Sequence, residues 1–388
     1  MVPVINDISS VITPAFVYDE NKILERIDHV NSINGCNVLF PLKPFAIADA
    51  LSLIAPLVAG FSASSLFEAK LARDVSGKNK TIHLTTPGLR LDEVEAISEL
   101  CDYISFNSLS QWERFHSLLG ARVRQGLRVN PQLSFVTDER YDSCRKHSKL
   151  GVPLDELQSV LCNDKNLLKD ISGLHFHSNC ESNDFGHLLE TVQRIEANVP
   201  EVFNSISWIN LGGGYLFEES SSVEALTRTI HLLKSKHELE VFFEPGKGII
   251  GDTAYIVSTV LDLFESDSVI VAVLDTTINH MPEVFEYQYK PDIVGESSKG
   301  AYKYILAGAS CLAGDLFGKY RFDQPLEVGS KIIFEGMGAY TIVKANMFNG
   351  INLPSIYAYT SEEKLELKKK FTYEDFTSRC GVKKYVAE

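Results

Sequence analysis

The sequence lacks a surplus of positive charge. Its 388 residues carry 37 lysines and arginines against 51 aspartates and glutamates, a formal net charge of −14. A surface of that sign repels phosphate backbones and excludes sequence-independent nucleic-acid binding. It suits a cationic small molecule. Long hydrophobic runs are missing too, so no segment is expected to cross a bilayer. The seven cysteines, at 36, 101, 144, 162, 180, 311 and 380, are odd in number and share no regular spacing. That excludes a disulfide framework and fits a reducing compartment. The first residues, Met1-Val2-Pro3-Val4-Ile5-Asn6-Asp7, show no basic stretch leading into an apolar one. No secretory signal is expected, and the cytoplasm is the expected location.

What is present is a soluble composition, 45% hydrophobic, in a chain longer than one core usually holds. Two domains are expected. Short apolar runs recur at 37–42, 58–63, 81–85, 103–106, 126–129, 173–177, 207–211 and 241–244. Helix-spaced segments separate them at 65–75, 90–100, 109–119, 154–162, 187–197 and 223–236, after a first one at 21–31. Strand–helix alternation of this kind gives a parallel sheet with right-handed crossovers, and eight units close naturally into a (β/α)₈ barrel over 21–255. An open doubly wound sheet shares the same periodicity. After about residue 255 the helices stop and strands follow at 257–263, 269–274, 302–307 and 331–334. These predict a second, mainly antiparallel β domain over 256–360, with 1–20 joining it. A charged helix or linker is expected over 361–388.

Function in a barrel gathers at the carboxyl ends of its strands, and the polar residues of this chain fall there. The run Val38-Leu39-Phe40-Pro41-Leu42-Lys43 ends in a lysine whose amine desolvation would leave available as a nucleophile. Asn210-Leu211-Gly212-Gly213-Gly214 is a strand running into three glycines whose backbone can cradle an anion. Leu174-His175-Phe176-His177 holds two histidines at i and i+2, suited to stacking on a flat ring. Cys180 stands nearby, but no further ligand completes a metal geometry, so no metal is expected. Phe242-Phe243-Glu244 puts a carboxylate at a strand end. Ser310-Cys311-Leu312-Ala313-Gly314-Asp315 is a small-residue loop with one thiol and one carboxylate, and Gly338-Ala339-Tyr340 leaves a tyrosine on a glycine-flanked turn. Taken alone, Lys43, the glycine run and Cys311 are each better read as ordinary structural features, and Glu244 and Tyr340 have structural readings of their own.

Together the segments resemble the alanine-racemase-type, fold type III enzymes that use pyridoxal phosphate. Within that fold they are similar to the decarboxylases of basic amino acids and polyamine precursors, the carboxynorspermidine and carboxyspermidine branch above all. Ser62-Ala63-Ser64-Ser65-Leu66-Phe67-Glu68-Ala69, His280-Met281-Pro282-Glu283 and Phe348-Asn349-Gly350-Ile351 carry the likeness beside the motifs above. The resemblance implies that Lys43 joins the cofactor covalently and that His177 stacks on its ring. It implies phosphate binding at Gly213 and Gly214 with help from Tyr340, and a Glu244 pair to the pyridine nitrogen. It further implies that Cys311, from the partner copy in a homodimer, returns the proton to the substrate carbon. Asp315 and Glu283 would face the substrate's amines. Pro41, Pro44 and Lys247 depart from the pattern and bear on the substrate rather than the cofactor.

The expected activity is loss of the α-carboxylate from an amino acid with an extended cationic side chain. A 3-amino-3-carboxypropyl group on a natural product of the microcin C type would present the same head group. A racemase of this fold needs a tyrosine opposite the lysine, which the Cys311 loop disfavours. A non-catalytic binding relative would have no use for Lys43 and Cys311 together.

Overall fold

The computed structural model describes residues 8, 10–32, 35–163, 171–218 and 222–381. Residues 1–7 and 9 of the expected opening segment, and 382–388 of the expected tail, lie outside them. The chain forms two compact units, Leu24–Ile249 and the pair of segments Met1–Ile23 and Ile250–Glu388. Strand β1 (Ala15–Asp19) opens the second unit and leads into the helix Glu20–Asn31.

The Leu24–Ile249 unit contains β2 (Asn37–Pro41), β3 (Gly60–Ala63), β4 (Thr81–Thr86), β5 (Tyr103–Phe106), β6 (Arg124–Asn130), β7 (Val152–Pro153), β8 (Gly173–His175), β9 (Trp208–Asn210) and β10 (Glu240–Phe243). Every pairing is parallel, in the order β5-β4-β3-β2-β10-β9-β8-β6, and β5 also pairs with β6. That last ladder closes eight strands into a barrel and settles the choice against an open sheet. The short β7 only extends β6 at Val129↔Val152. Helices begin where the sequence supplies caps. Ser65 accepts from the Glu68 N–H and Ser108 from the Gln111 N–H, each three residues on. A helix at Ala48–Ile54, which the sequence reading passes over, joins β2 to β3.

Packing fills the amino-terminal half of the barrel. Gly126, Gly173 and Trp208 stand in register on β6, β8 and β9. A Cβ at Gly173 would come within 2.0 Å of the indole, and one at Gly126 within 2.6 Å, so both positions exclude a side chain. Trp208 is fully buried with Leu39, Tyr103 and Phe242. His83 stacks on Tyr103 with ring centroids 4.0 Å apart. Truncating a plug of this kind to alanine costs about 3–5 kcal/mol.

The other unit adds β11 (Ala254–Ser266), β12 (Val269–Leu274), β13 (Tyr302–Ala307), β14 (Leu316–Phe322), β15 (Lys331–Phe334), β16 (Ser355–Tyr359) and β17 (Leu365–Lys369). Its sheet runs β14-β13-β12-β11-β1-β16-β17, with β15 on β11. Pairing is antiparallel except at β12–β13 and β1–β16. Val11, Ala15, Val17, Tyr255, Val257 and Tyr357 form its core. Strands β14, β16 and β17 escape the sequence reading. In β14 the buried positions Phe317, Tyr320 and Phe322 break strict alternation around Gly318, and the opposite ladder shifts register between Leu306 and Ala307. Within the charged tail, Leu365–Lys369 is an edge strand on β16 and Tyr373–Arg379 is the helix. Among the described residues no helix is long and apolar enough to cross a membrane.

Candidate active site

The site grows from the carboxyl ends of adjacent strands. Strand β2 stops at Pro41, and Leu42–Phe45 form a turn closed by the Phe45 N–H on the Leu42 carbonyl at 3.0 Å. The two prolines stiffen this turn and pack against Gly246, where a Cβ would sit 3.0 Å from Pro44 and 3.2 Å from Pro41. The turn buries Leu42 and Phe45 and projects Lys43 from a wall of apolar side chains, its surface in reach of water. Crowding by protein lowers its pKa below the usual 10.5, and repulsion from Arg128 adds to the effect. Glu244, Cys180 and Glu68 act in the opposite direction. A lysine so placed is easily brought to its neutral, nucleophilic form.

Arg128 and Asn210 are site residues that the sequence reading misses. Arg128, His175 and Asn210 stand in register on β6, β8 and β9 and so share one face of the barrel wall. Burial brings the Arg128 pKa down to about 10, against the pull of Glu244. A lone arginine inside Gly126-Leu127-Arg128-Val129 was the available signal, because a charge in a buried strand is rare without a task. Asn210 is 1% exposed. Its Nδ2 donates to Glu244 Oε1 at 2.7 Å and its Oδ1 accepts the Gly212 N–H at 2.9 Å. The Glu244 N–H in turn donates to the Gly212 carbonyl at 2.7 Å. One asparagine therefore ties the carboxylate to the glycine run.

The three glycines are sterically required. Gly212 and Gly214 have φ of +67° and +93°. A Cβ on Gly213 would lie 2.1 Å from the Glu244 carbonyl oxygen, and one on Gly214 would lie 2.1 Å from that of Asn179. The Gly213 N–H donates to His177 Nδ1 at 3.1 Å, so that amide is engaged with the ring. Strand β8 ends at His175, and His177 lies just beyond it. Burial pushes both histidines well below 6.5, with Arg128 and Lys43 adding repulsion, so the rings are neutral. Among the described residues His175 Nε2 is buried without a partner. Lys247, one of the departures from the family pattern, pairs with Glu181 at 2.6 Å on the surface. Among the described residues no group of three His, Cys, Asp or Glu side chains could hold a metal.

In the other unit, Cys311 is exposed on the loop between β13 and β14. Asp315 at the end of that loop is 2% exposed. Its carboxylate accepts from Thr277 Oγ1 at 2.8 Å, the Ile278 N–H at 2.7 Å, the Ser310 N–H at 3.0 Å and the Ser310 hydroxyl. Three of these donors meet Oδ2 and one meets Oδ1, so the carboxylate braces the loop. Glu283 is half-buried, with Lys344 Nζ 3.6 Å from its Oε1 and also against Glu286. Tyr340 has a left-handed φ of +56° after Gly338, whose missing Cβ would meet the Ile250 carbonyl oxygen at 1.6 Å.

Known proteins resemble this chain over most of its length. Residues 20–251 match the pyridoxal binding domain of the pyridoxal-dependent decarboxylases. The chain is 37% identical over 383 residues to a carboxyaminopropylagmatine decarboxylase from Synechocystis, covering 96% of this chain and 97% of that protein. It is 31% identical over 386 residues to a carboxynorspermidine/carboxyspermidine decarboxylase from Campylobacter jejuni, covering 95% and 98%. The crystal structure of carboxynorspermidine decarboxylase from Campylobacter jejuni, complexed with norspermidine, superposes with a TM-score of 0.86 at 30% identity, over 95% of this chain and 99% of that one. A closed parallel barrel with a lysine and a glutamate just past the ends of neighbouring strands thus coincides with a match across more than half the chain, and the chain belongs to the pyridoxal-dependent decarboxylases.

Proposed function

We propose that the protein removes the α-carboxylate from an amino acid whose side chain is a long polyamine-like cation, with pyridoxal 5'-phosphate as cofactor. The observation that carries this reading is the placement of Lys43 and Glu244 just past the ends of β2 and β10, two strands joined at Phe243↔Val38. The residues fit the cofactor. The glycine run follows a backbone path that no side chain could share, since each added Cβ would strike the backbone of Phe176, Glu244 or Asn179, and a bare backbone of this kind suits an anion. The neutral His177 ring offers a flat face, and Glu244 offers a fixed carboxylate to a protonated ring nitrogen. When bound, the cofactor supplies an electron sink for the carbon that loses CO₂.

The chain's own residues supply the rest. Lys43 would hold the cofactor through its amine and would stay on the protein as a free amine once the substrate's amine takes its place. Asn210 holds Glu244 in place. Gly213 and Gly214 accommodate the phosphate, with Tyr340 in support. Cys311, supplied by the second copy in a homodimer, returns a proton to the substrate carbon, a step open to an exposed thiol positioned as a general acid. Glu283 is the carboxylate assigned to a substrate amine. The net charge of −14 favours such a cation at long range.

The test is a panel of carboxyaminopropylagmatine, carboxynorspermidine, carboxyspermidine and diaminopimelate, read as CO₂ release and as the mass of the amine formed. Turnover of a carboxypolyamine in clear preference to diaminopimelate supports the reading. Preference for diaminopimelate, or no CO₂ from any of them, overturns it.

A further inference from the structure

The Cys311 loop is clamped at two points, and the second clamp lies far away in sequence. At the base, the Gly308 N–H donates to the Asp315 carbonyl at 2.8 Å. A Cβ at Gly308 would stand 2.2 Å from Asp315 Oδ1, so the loop closes tightly on its own carboxylate. The carboxylate also reaches Thr277 and Ile278, which fixes the base to the end of β12. At the tip, the Cys311 N–H donates to Asn349 Oδ1 at 2.8 Å. Only the carbonyl end of that side chain can accept, so the donor fixes which way the amide points.

Asn349 is held in an uncommon conformation to make this contact. Its φ and ψ are 56° and 13°, left-handed for a residue with a Cβ. Gly350 follows at φ +74°. Asparagine tolerates this region better than most residues, but glycine would do so with less strain. The side chain, rather than backbone ease, is therefore what the position calls for. The segment is itself anchored, since the Phe348 N–H donates to Asn346 Oδ1 at 3.0 Å and the Asn346 N–H to the Asn279 carbonyl at 3.1 Å. Asn279 directly follows the Thr277–Ile278 pair that grips Asp315. The two clamps share one foundation.

We propose that Asn349 is a positioning residue for the proton-returning step: it aims the Cys311 thiol by holding the Cys311 backbone amide. This rests on the reading of Cys311 as the proton donor. With the amide fixed at the tip and Asp315 fixed at the base, the thiol's remaining freedom is rotation about its own Cα–Cβ bond. Loss of the tip clamp lets the thiol wander. The proton that belongs on the substrate carbon then goes to the cofactor's aldehyde carbon, and water releases a substrate-derived aldehyde while the cofactor leaves as its amine form.

The experiment compares Asn349→Gly, Asn349→Asp and Cys311→Ala in the cofactor-loaded protein, with two readouts. Glycine keeps the backbone geometry and removes the acceptor. Aspartate keeps an acceptor. Hydrogen exchange at the Cys311 amide should quicken by about fivefold or more in Asn349→Gly and stay near wild type in Asn349→Asp. The ratio of amine to aldehyde product should fall in Asn349→Gly toward that of Cys311→Ala and recover in Asn349→Asp. Unchanged exchange in Asn349→Gly removes the clamp. Faster exchange with an unchanged product ratio overturns the positioning role while Cys311 keeps its own. A Cys311→Ala enzyme with the wild-type product ratio overturns the proton-donor reading itself and this proposal with it.

Discussion

Asn210 Nδ2 lies 2.7 Å from Glu244 Oε1, and the same side chain accepts from Gly212. A fully buried amide thus sets the direction of the carboxylate. Removing it in Asn210→Ala should leave Glu244 present but misdirected. A lost hydrogen bond to a charged group is worth about 1.5–3 kcal/mol, so kcat should fall roughly ten- to a hundredfold. Glu244→Gln should fall further while still binding cofactor, because a neutral amide cannot keep a ring nitrogen protonated. Steady-state kinetics beside a cofactor titration make the comparison. Equal turnover in Glu244→Gln and wild type would remove the role assigned to the carboxylate.

Gly213→Ala should weaken cofactor binding without unfolding the protein. The added Cβ meets the Glu244 backbone at 2.1 Å, and backbone cannot rotate away as a side chain can. Dissociation of pyridoxal phosphate, followed by its absorbance during dialysis, should be markedly faster than in wild type. The urea midpoint measured without cofactor should move by no more than overpacking warrants, about 1–3 kcal/mol.

Lys43→Ala should abolish turnover. Borohydride treatment of the loaded wild-type protein should fix the cofactor to a single peptide containing Lys43, read by mass spectrometry. Label on another lysine, or activity surviving in the variant, would move the attachment site elsewhere.

Cys311→Ala should still bind cofactor and release CO₂ but yield aldehyde at the expense of amine. Mixing inactive Lys43→Ala with Cys311→Ala should restore part of the normal activity, since a hybrid dimer would hold one complete site. No recovery after demonstrated subunit exchange would place both residues in the same copy's site.

Acid should loosen the fold through histidines that the native state keeps neutral. Burial lowers His83 to about 3 and His280 to about 4, from the usual 6.5. Both folded values are depressed, so the unfolded chain binds the protons more readily. The stability these rings contribute is complete above pH 6.5 and falls as pH drops from there toward the folded values. Each can subtract up to about 1.4 kcal/mol per pH unit in that window. Urea midpoints between pH 7 and 5 should decline accordingly, and His83→Phe, which preserves the stack on Tyr103, should flatten the slope. An unaltered slope would mean that His83 carries none of it.

The barrel was legible because burial on both faces leaves near-continuous apolar runs, as in Val38-Leu39-Phe40 and Val241-Phe242-Phe243, spaced by helix-length segments. Closure was not legible, because the β5–β6 ladder depends on curvature rather than on any local pattern. Lys43, Glu244 and the glycine run announce themselves as strand-end residues with special side chains, or with none. Arg128 and Asn210 are harder to see, since their meaning lies in register across three strands. The four donors around Asp315 could not be read either, because Thr277 and Ile278 come from a segment 37 or 38 residues away.

Strand β1 is made early and completed late. It pairs with β11 at Phe16↔Ile256 and with β16 at Phe16↔Ile356, so the segment that forms the barrel is synthesised before either neighbour exists. Until Ser355–Tyr359 emerge from the ribosome, one side of Ala15-Phe16-Val17-Tyr18 has no native partner, and these four residues of the strand are small, aliphatic or aromatic and all buried in the fold. A nascent chain stalled before that point carries a sticky, half-paired edge of the kind that recruits chaperones or seeds aggregation. Chains truncated just ahead of Ser355 should therefore accumulate as insoluble protein, whatever the state of the catalytic barrel.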